Sequence, residues 1–535
     1  MNILAVIPAC EGSVIFPNKN IRIVNGKPLI YYVINNAKQS KYITDIIVTT
    51  NSKEIINIAR QMGVKTKLRS DALCNTEVSL DKVVYDVFDI VDIEKYDYIV
   101  TMQSISPTLK SNTLDKAIEE CIQCDYDTSI SVTPIHKFYW DKCDDNYIPL
   151  RKERINRSKL QPLYSETGAF LITKTRFVNE NNRIGNKIKL YELDADEAVD
   201  VYCFGDLKQV ESILCRKKIA IYVNGNNEIG LGHIYRVIQL ADELFSKPDI
   251  YFDKNITKIE VFGKTTHNLI PVDGKESLYT QLAVNGYDIV INDILSTNIE
   301  YMKKLKAILP EAKIVNFEDE GSGAELADIV FNALYEEEYA NNIRAGEKYF
   351  IASKLFLLYE PIAINEKVNN VFISFGGADP QNYTDRLLNI ITQEKYDKIK
   401  FHVVIGKAKK NIDALLSFNR YNNISVLYNI DGIADVMNKC DIAITSRGRT
   451  GFELAFLGIP MISIAQHDRE ALHTFLGEQN GICYLGVNPD DCIIQKKLDE
   501  YINMSKAERS MLQKKMLCKD LRNGRKNVMK EIFNL

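Results

Sequence analysis

The chain repeatedly alternates short, continuously apolar segments with longer helical stretches, and this alternation limits its fold more than any other feature. Segments such as 3–9 (ILAVIPA), 219–225 (IAIYVNG) and 371–377 (VFISFGG) are apolar at nearly every position, as expected of strands buried on both faces. Strand–helix alternation of this kind predicts an α/β fold with parallel sheets covered by helices on both sides. Further strands are predicted at 45–51, 98–104, 128–134, 258–263, 288–293, 312–317, 400–406, 424–430, 442–446 and 461–466.

Two boundaries divide these predicted elements into three domains. At roughly 150 residues per domain, a chain of 535 residues is long enough for three or four. A basic patch at 215–218 (CRKK) precedes a new strand, and Pro361 should interrupt any helix before the strand that starts near residue 370. We therefore expect one α/β domain at 1–214 and two doubly wound domains at 215–362 and 363–535.

Composition excludes several classes of protein. The 67 Lys and Arg residues against 71 Asp and Glu give a net charge of −4 with no basic block, which argues against a nucleic-acid partner. No apolar run approaches the length of a membrane-spanning helix. The start, MNILAVIPAC, lacks the basic region of a signal peptide, and eleven scattered cysteines suit a reducing compartment. The sequence thus predicts a cytoplasmic protein without a membrane span.

The loop after the first predicted strand is a candidate phosphate site, because ligands of parallel sheets bind beyond the carboxyl ends of the strands. Its sequence, ACEGSVIFPNKN, contains Gly12 and Ser13, whose backbone N–H groups could face a triphosphate. Lys19 would supply a positive charge, and Asn20 could pair with the edge of a base. The loop lacks the GxxxxGK[ST] pattern of a Walker motif, and a plain turn is the alternative.

The motifs between residues 7 and 202 keep a distinctive order: IPA, GS, PNKNIR, GKPLI, IIVTTN, RSDAL, MQSISP, YSETGAFLI and AVDVY. This order resembles the CMP-sialic acid synthetase (acylneuraminate cytidylyltransferase) family, which implies a nucleotidyltransferase domain of GT-A-like, parallel-sheet architecture. By resemblance, the CTP-binding residues are Ala9, Gly12, Ser13, Lys19, Asn20, Ser79 and Gln103, and the sugar-acid residues are Arg157, Gln161, Glu166 and Gly168.

The same resemblance implies a reaction and a cofactor. The anomeric hydroxyl of a nonulosonic acid would attack the α-phosphate of CTP, and pyrophosphate would leave while Mg²⁺ neutralises the phosphates. Asp200, in the AVDVY motif, would be the metal ligand. Family members are commonly dimers, so the resemblance also points to a homodimer.

Several positions depart from the family pattern. Cys10, Glu11 and Val14 stand where the family usually has Arg, Gly and Lys. Tyr202 stands where the family has the second carboxylate of an Asp-x-Asp pair. These changes remove two positive charges and one hard oxygen ligand from the implied site and add a negative charge. Two interpretations stay open: an active cytidylyltransferase, or a weakened or purely structural domain.

In the second half, the strand at 219–225 leads into NNEIGLGHIYR, where Gly230 and Gly232 open a helix. His233 lies in its first turn, and Arg236, three residues on, lies on the same face. The positive helix end and Arg236 both disfavour an imidazolium, which favours a neutral imidazole able to act as a general base toward water. A histidine that only caps or packs is the alternative.

Further loops follow other strand ends in this half. FGGADP places Gly376 and Gly377 before a helix, either as a seat for a diphosphate or as a plain turn. SRGRTGFELAFLGIP puts Glu453 one turn into a helix, where its carboxylate could accept both hydroxyls of a ribose or pair with Arg449. Two carboxylates at strand ends are second-rank candidates, Asp293 and Asp319.

GLGHIYR, FGGADP and the SRGRTGFELAFLGIP stretch together resemble the nucleotide-sugar hydrolase of pseudaminic acid synthesis, which is a GT-B-type protein. The resemblance spans most of residues 218–480 and implies that His233 activates water while UDP binds in the C-terminal half of a cleft. Arg447 and Arg449 stand where that family has small residues and could contact the diphosphate. We therefore predict His233, Arg236 and Asp293 as catalytic residues, and the predicted UDP-binding residues are Gly232, Gly376, Gly377, Arg449, Thr450 and Glu453. Of these, the resemblance itself implies His233, Gly376, Gly377 and Glu453.

Two functional hypotheses follow. The first is a bifunctional enzyme of nonulosonic acid synthesis, which hydrolyses a UDP-acetamido-deoxy sugar in its second half and makes a CMP-nonulosonate in its first. The second is a GT-B glycosyltransferase of surface polysaccharide synthesis that carries a degenerate, non-catalytic cytidylyltransferase-like domain. UDP release without an acceptor would distinguish them.

Overall fold

The computed structural model describes residues 1–11, 16–75, 77–151, 153–226, 231–335, 340–430 and 432–535. The chain divides into two compact units, Met1–Arg216 and Lys217–Leu535. The candidate residues Gly12, Ser13 and Gly230, together with the substituted position Val14, lie outside the described residues.

The first unit is built on one seven-stranded sheet. The strands of the whole unit, including four that lie outside this sheet, are β1 Ile3–Pro8, β2 Ile23–Val24, β3 Lys27–Pro28, β4 Asp45–Thr50, β5 Lys65–Leu68, β6 Tyr98–Thr101, β7 Thr128–Ile135, β8 Trp140–Cys143, β9 Asn146–Pro149, β10 Leu163–Lys174 and β11 Ile188–Glu192. Its α-helices are α1 Leu29–Gln39, α2 Lys53–Gln61, α3 Leu80–Tyr85, α4 Ser111–Gln123 and α5 Phe204–Leu214. The main sheet has the order β11-β7-β10-β6-β1-β4-β5, and β2–β3 and β8–β9 form two separate hairpins.

The central strand β1 is buried on both faces and pairs in parallel with β4 and β6. In contrast, β10 runs antiparallel to β6 and β7, with an irregular register between Glu166 and Leu171. The continuously apolar strands were predicted because burial on both faces shows in the sequence. Strand β10 was not predicted, because its first half is polar and exposed (LYSET) and only the second half is buried.

The second unit contains two parallel sheets, and the first of them has the order β14-β13-β12-β15-β16-β17-β18. All its pairings are parallel, and the order places β12 and β15 at the point where the winding reverses. Its strands are β12 Ile219–Val223, β13 Asp249–Asp253, β14 Asn268–Val272, β15 Ile289–Asp293, β16 Lys313–Phe317, β17 Ile329–Asn332 and β18 Ile343–Ala345. Its helices are α6 Gly232–Glu243, α7 Gly274–Asn285 and α8 Ile299–Ile308.

The second of these sheets repeats the same doubly wound order, β21-β20-β19-β22-β23-β24, with β19 and β22 at its reversal point. Its strands are β19 Asn370–Ser374, β20 Lys400–Ile405, β21 Ile424–Tyr428, β22 Ile442–Ser446, β23 Met461–Ala465 and β24 Cys483–Val487. The helices after β18 are α9 Tyr383–Ile391, α10 Ile412–Leu416, α11 Ile433–Met437, α12 Arg449–Phe456, α13 Asp468–Ala471, α14 Asp491–Asn503, α15 Lys506–Leu517 and α16 Gly524–Phe533.

The last helix, α16, packs against the part of the unit that carries the first sheet. Arg525 Nη2 donates to the carbonyl of Ala352 at 2.8 Å, and Asn527 Nδ2 donates to that of Lys348 at 2.8 Å. Val528 and Ile532 are fully buried in the same hydrophobic cluster as Phe350. The chain therefore returns at its end to the first sheet of the unit.

The predicted α/β class is confirmed, with a mainly parallel main sheet in the first unit and two parallel, Rossmann-like sheets in the second. One predicted strand is wrong, because Ile259–Phe262 forms a short 3-10 helix. The place beside β12 is taken by β13, which was missed because its core, IYF, is only three residues long between two aspartates. Phe262 instead packs against Phe252 of β13.

Among the described residues, the helices fall short of the length and apolar character that a membrane crossing requires.

Candidate functional site

In the first unit, the loop after β1 is held by side chains from neighbouring strand ends. Asn20, which is buried, donates from Nδ2 to the carbonyl of Cys10 at 2.7 Å and accepts from the Ser104 hydroxyl at 2.6 Å. Asn51 Oδ1 accepts the backbone N–H of Glu11 at 3.1 Å, and Ala9 donates from its backbone to Thr49 at 3.0 Å. The structure thus uses Asn20 to join the loop to the carboxyl end of β6, whereas the sequence suggested a contact with a base.

Asp200 is the centre of a hydrogen-bonded group in this unit. Its two carboxylate oxygens accept the backbone N–H of Gly168 at 3.1 and 2.9 Å, and Oδ1 also accepts the Ser106 hydroxyl. The carbonyl of Gly168 in turn accepts the backbone N–H of Gln103 at 2.8 Å. Three of the residues predicted from sequence are therefore brought together, and Ser106, which the sequence analysis missed, joins them.

Lys19 belongs to the same neighbourhood as Asp200. Burial lowers the pKa of the Lys19 ammonium, and the nearby Asp200 carboxylate acts in the opposite direction. Burial also raises the pKa of Asp200, against the hydrogen bonds from Ser106 and Gly168 that favour its charged form. Together they form a partly desolvated pair of opposite charges, where added phosphate charge would be strongly felt.

Gly168 has a steric reason to be glycine. A Cβ at this position would lie 2.8 Å from both Cγ1 of Ile105 and Oγ of Ser106, closer than packed atoms approach. A cavity of about 50 Å³ opens beside it, lined in part by Gln103, Glu166 and Arg183. The residue missed from the sequence is Arg183, a nearly buried cation that donates from Nε to Asp81 at 2.7 Å.

Three of the predicted residues are not tied to this group. Ser79 caps α3 by accepting the backbone N–H of Lys82 at 3.4 Å. Arg157 and Gln161 are exposed, on or just after a short 3-10 helix. Within the described ranges, neither makes a side-chain hydrogen bond to the other candidate residues.

The donor set around Asp200 limits how a metal ion could bind. Across the described residues, no three or more His, Cys, Asp and Glu side chains converge as a metal site. Tyr202 contributes no carboxylate, and its backbone N–H donates to Asp206, which caps α5. Mg²⁺ is often held by one or two carboxylates together with substrate phosphates. Asp200 therefore fits a site that the nucleotide would complete.

In the second unit, His233, Arg236 and Asp293 form one compact network. His233 lies in the first turn of α6, and its Nδ1 hydrogen-bonds the Asp293 carboxylate at the end of β15. Arg236 clamps the same carboxylate from Nε and Nη2, each at 2.7 Å. Burial alone would raise the pKa of Asp293, but the charge of Arg236 and the hydrogen bonds from Arg236 and His233 hold it well below its ordinary value.

This network defines what His233 can do. A carboxylate at Nδ1 fixes the proton on that nitrogen and leaves Nε2 with a free electron pair. The same division of roles, an acid that orients and an imidazole that accepts a proton, occurs in hydrolytic triads. The sequence analysis treated Asp293 as a separate cleft carboxylate, and the structure places it directly on the histidine.

Glu318 is a further acidic residue in this network, and the sequence analysis did not identify it. It follows β16, is 4% exposed, and accepts from Nη1 of Arg236 at 3.1 Å. Its neighbour Asp319, the second-rank candidate, instead fixes a loop by accepting the backbone N–H and the hydroxyl of Thr297 at 2.8 and 2.7 Å. The sequence alone could not show that Glu318 contacts Arg236 while the adjacent Asp319 holds a loop.

The C-terminal sheet of this unit contributes Arg449 and Glu453 from the first turns of α12. Arg449 donates from Nη2 to the carbonyl of Ile351 at 2.7 Å and lies 4.8 Å from the ring of Phe350. A Cβ on Gly232 would lie 3.2 Å from Cδ of Arg449. Arg449 therefore reaches the start of α6, one residue from His233.

Arg447 differs from Arg449, although the sequence suggested that both could face a diphosphate. Arg447 is buried, donates from Nε to Leu476 and from Nη1 to Ala471, and stacks 3.8 Å from the ring of Tyr484. These contacts make Arg447 part of the packing beneath the loop that joins β22 to α12.

The other predicted UDP-binding residues lie at the ends of two elements. Thr450 is in the first turn of α12, and Gly376, with φ of 76°, and Gly377 follow β19.

Both halves of the site lie where a doubly wound sheet binds ligands. His233 and Asp293 lie beyond β12 and β15, and Gly376 and Ser446 lie at the ends of β19 and β22. These are the reversal points of the two sheets, where ligands enter the crevice outside the strand ends. The arrangement can hold a nucleotide and place a general base beside it.

We expect Glu453→Gln to change the pH dependence of stability. Burial raises the pKa of Glu453 to about 7, against the charge of Arg449. A carboxyl with a raised folded-state pKa loses stability as pH rises from its unfolded value toward the folded one. Relative to wild type, the unliganded variant should therefore gain about 2 kcal/mol in free energy of unfolding at pH 8 compared with pH 5.

Urea titrations at the two pH values measure this difference, and Glu325→Gln, on an exposed side chain, is the matched control. An equal effect of Glu453→Gln at both pH values would contradict the prediction.

Comparison with known proteins agrees with the geometry of the first unit. The cytidylyltransferase family matches residues 4–228. A CMP-N,N'-diacetyllegionaminic acid synthase of Legionella pneumophila is 33% identical over 191 residues, which cover 34% of this chain and 82% of that protein. The fold and the site of the first unit define an α/β nucleotide-binding protein. Through residues 4–228, the chain belongs to the cytidylyltransferase family.

Two other relatives extend into the second unit. An uncharacterized protein of Methanocaldococcus jannaschii is 30% identical over 287 residues, 48% of this chain and 58% of that protein, so this chain spans less than two thirds of it. The spore coat polysaccharide biosynthesis protein SpsG of Bacillus subtilis is 25% identical over 296 residues, 52% of this chain and 86% of that protein. Because the first unit ends at Arg216, alignments of this length include part of the second.

Proposed function

We propose that the first unit is a CMP-nonulosonate synthetase. The observation that carries this proposal is the grouping of Lys19, Gln103, Gly168 and Asp200 at the strand ends of a unit that belongs to the cytidylyltransferase family. The relatives support the substrate class, since one is named as a synthase of a CMP-linked nonulosonic acid.

In this proposal, the residues act mainly by positioning and charge. Lys19 contacts the phosphates of CTP and offsets the charge that develops as the bond to pyrophosphate breaks. The backbone N–H of Gly168 holds the Asp200 carboxylate, and its carbonyl accepts from the backbone of Gln103. Gln103 lines the small cavity beside Gly168, where we place part of the sugar acid. Mg²⁺, held by Asp200 and phosphate oxygens, would neutralise the nucleotide. The oxygen of the anomeric hydroxyl then bonds to the α-phosphorus while the bond from that phosphorus to pyrophosphate breaks, and the hydroxyl proton passes to solvent.

We propose that the second unit hydrolyses a UDP-acetamido-deoxy sugar. A water molecule gives its proton to Nε2 of His233 and attacks the anomeric carbon, and the bond from that carbon to the β-phosphate oxygen breaks to release UDP. The Asp293 contact on Nδ1 supports this role, because it stabilises the imidazolium that forms. Glu453 would bind the ribose, and Arg449 the diphosphate.

Two assays test these proposals on the intact chain. Incubation with CTP, a nonulosonic acid and Mg²⁺ should release pyrophosphate, and a UDP-acetamido sugar without any acceptor should release UDP and free sugar. Absence of pyrophosphate would reject the first proposal. UDP release only when an acceptor is present would replace hydrolysis by glycosyl transfer.

We expect Tyr202→Asp to raise pyrophosphate release about tenfold at limiting Mg²⁺, because a second carboxylate near Asp200 strengthens the metal site. Tyr202 is 56% exposed, so the change leaves the packing intact. The measurement is the rate as a function of Mg²⁺ concentration, with Tyr202→Phe as the control that adds no ligand. An unchanged Mg²⁺ requirement in the aspartate variant would contradict this prediction and show that a carboxylate at position 202 does not reach the metal.

A further inference from the structure

Glu318 has one carboxylate oxygen without a partner. The residue is 4% exposed, and Oε1 accepts from Arg236 at 3.1 Å. Within the described residues, Oε2 is buried and has no hydrogen-bond partner. Leaving a buried carboxylate oxygen unpaired is costly, so such an atom points to a donor that the protein itself does not supply.

The position of Glu318 is held firmly by its surroundings. Its φ is 51°, in the left-handed region that a residue with a Cβ seldom adopts. Arg469 donates from Nη2 to the Glu318 carbonyl at 3.2 Å, and its Nε donates to the Tyr335 hydroxyl at 3.3 Å. A strained backbone that neighbouring side chains fix in this way is typical of functional positions.

Arg449 has a buried donor without an acceptor among the described residues. Nη2 is used by the carbonyl of Ile351, but Nη1 is buried and finds no acceptor among the described residues. No ion pair within 4.0 Å joins Arg449 to Glu318 in the described part of the chain, although Arg449 lies close enough for its charge to favour the ionised carboxylate of Glu318. Arg449 Nη1, a donor without an acceptor, and Glu318 Oε2, an acceptor without a donor, thus both lie near the imidazole of His233.

A glycosyl phosphate carries the groups that both atoms lack. Its phosphate is an acceptor of charge-assisted hydrogen bonds, and the attached sugar offers hydroxyl or acetamido N–H donors. We propose that Arg449 Nη1 binds the phosphate attached to the sugar and that Glu318 Oε2 accepts a hydrogen bond from the sugar itself. This inference rests on the proposed UDP-sugar hydrolase function and assigns Glu318 as the residue that recognises the sugar.

The test compares UDP with UDP-N-acetylglucosamine as ligands of the intact chain, by isothermal titration calorimetry, with every protein carrying His233→Ala so that the sugar nucleotide is not hydrolysed during the titration. Glu318→Gln should weaken binding of UDP-N-acetylglucosamine by about tenfold or more, which is the loss expected for a hydrogen bond to a charged group. Its affinity for UDP should stay unchanged, because UDP lacks the sugar. Glu325→Gln, on an exposed side chain of the same sheet region, is the matched control and should change neither affinity.

The outcomes separate this inference from the function on which it rests. Equal weakening of UDP and UDP-N-acetylglucosamine would mean that Glu318 only holds Arg236, and unchanged binding of both would remove it from the site. Either result overturns the inference and leaves the hydrolase proposal standing. Failure of the wild-type chain to bind UDP would overturn both. If Glu318→Gln does not fold, Glu318→Asp, which keeps the charge but shortens the reach, should show the same selective loss.

Discussion

Replacing His233 with alanine is expected to slow UDP release from a UDP-sugar by a factor of about 10² to 10⁴, the usual contribution of a positioned general base. The imidazole is held by Asp293, which Arg236 in turn clamps, so the histidine is oriented for proton transfer. Binding of UDP should change little, because the proposed nucleotide contacts come from α12 and the loop after β19. Steady-state rates and calorimetry on the same variant measure the two effects.

A second histidine provides the control for this experiment. His267 also contacts a carboxylate, with Nε2 2.9 Å from Asp242, but it lies outside the network around Asp293. His267→Ala should therefore leave the rate of UDP release within about twofold of wild type. A His233→Ala variant that keeps full turnover would exclude it as the base, and one that loses UDP affinity in proportion to rate would indicate a binding role.

Replacing Asp200 with asparagine is expected to lower CTP-dependent pyrophosphate release by about a hundredfold or more, because the metal ion that would stabilise the charge on the reacting phosphates loses its carboxylate ligand. Asparagine has nearly the same shape and can still accept one of the N–H and hydroxyl contacts from Gly168 and Ser106, so folding should be preserved. The lost property is the negative charge that faces Lys19 and would hold Mg²⁺.

Pyrophosphate assays across a range of Mg²⁺ concentrations measure this effect, and thermal unfolding checks that the variant is folded. Asp196→Asn is the control, because Asp196 is an exposed carboxylate that pairs with Arg216. If Asp200→Asn retained wild-type activity, the Lys19–Asp200 group would have to be structural, and the first unit would need a different catalytic centre.

Most of the fold could be predicted from the sequence, because strands buried on both faces are apolar throughout. Strands β1 and β12 fall inside their predicted segments for this reason, and β19 starts one residue before its segment. The strands that were missed, such as β10 and β13, are half exposed or too short to show this signal, and tertiary pairing decides them. The segment 258–263 shows the reverse error, since its apolar residues pack from a 3-10 helix.

The site could be predicted only where a residue belongs to a local pattern. His233 and Arg236 are three residues apart on one helix, so their proximity could be read directly. Asp293 and Glu318 come from two later strands, and only the parallel order of the sheet brings them to Arg236. Nothing in the local sequence distinguishes Glu318 from Asp319, because both follow the same strand.

The return of α16 to the first sheet of the second unit determines how this protein can be dissected genetically. Truncating the gene after the first Rossmann-like sheet would separate that sheet from Val528 and Ile532, which complete its hydrophobic cluster. The remaining fragment would expose the apolar surface on which α16 docks. The two Rossmann-like halves must therefore be expressed together, whereas dividing the gene near the codon for Arg216 separates the two compact units without breaking either.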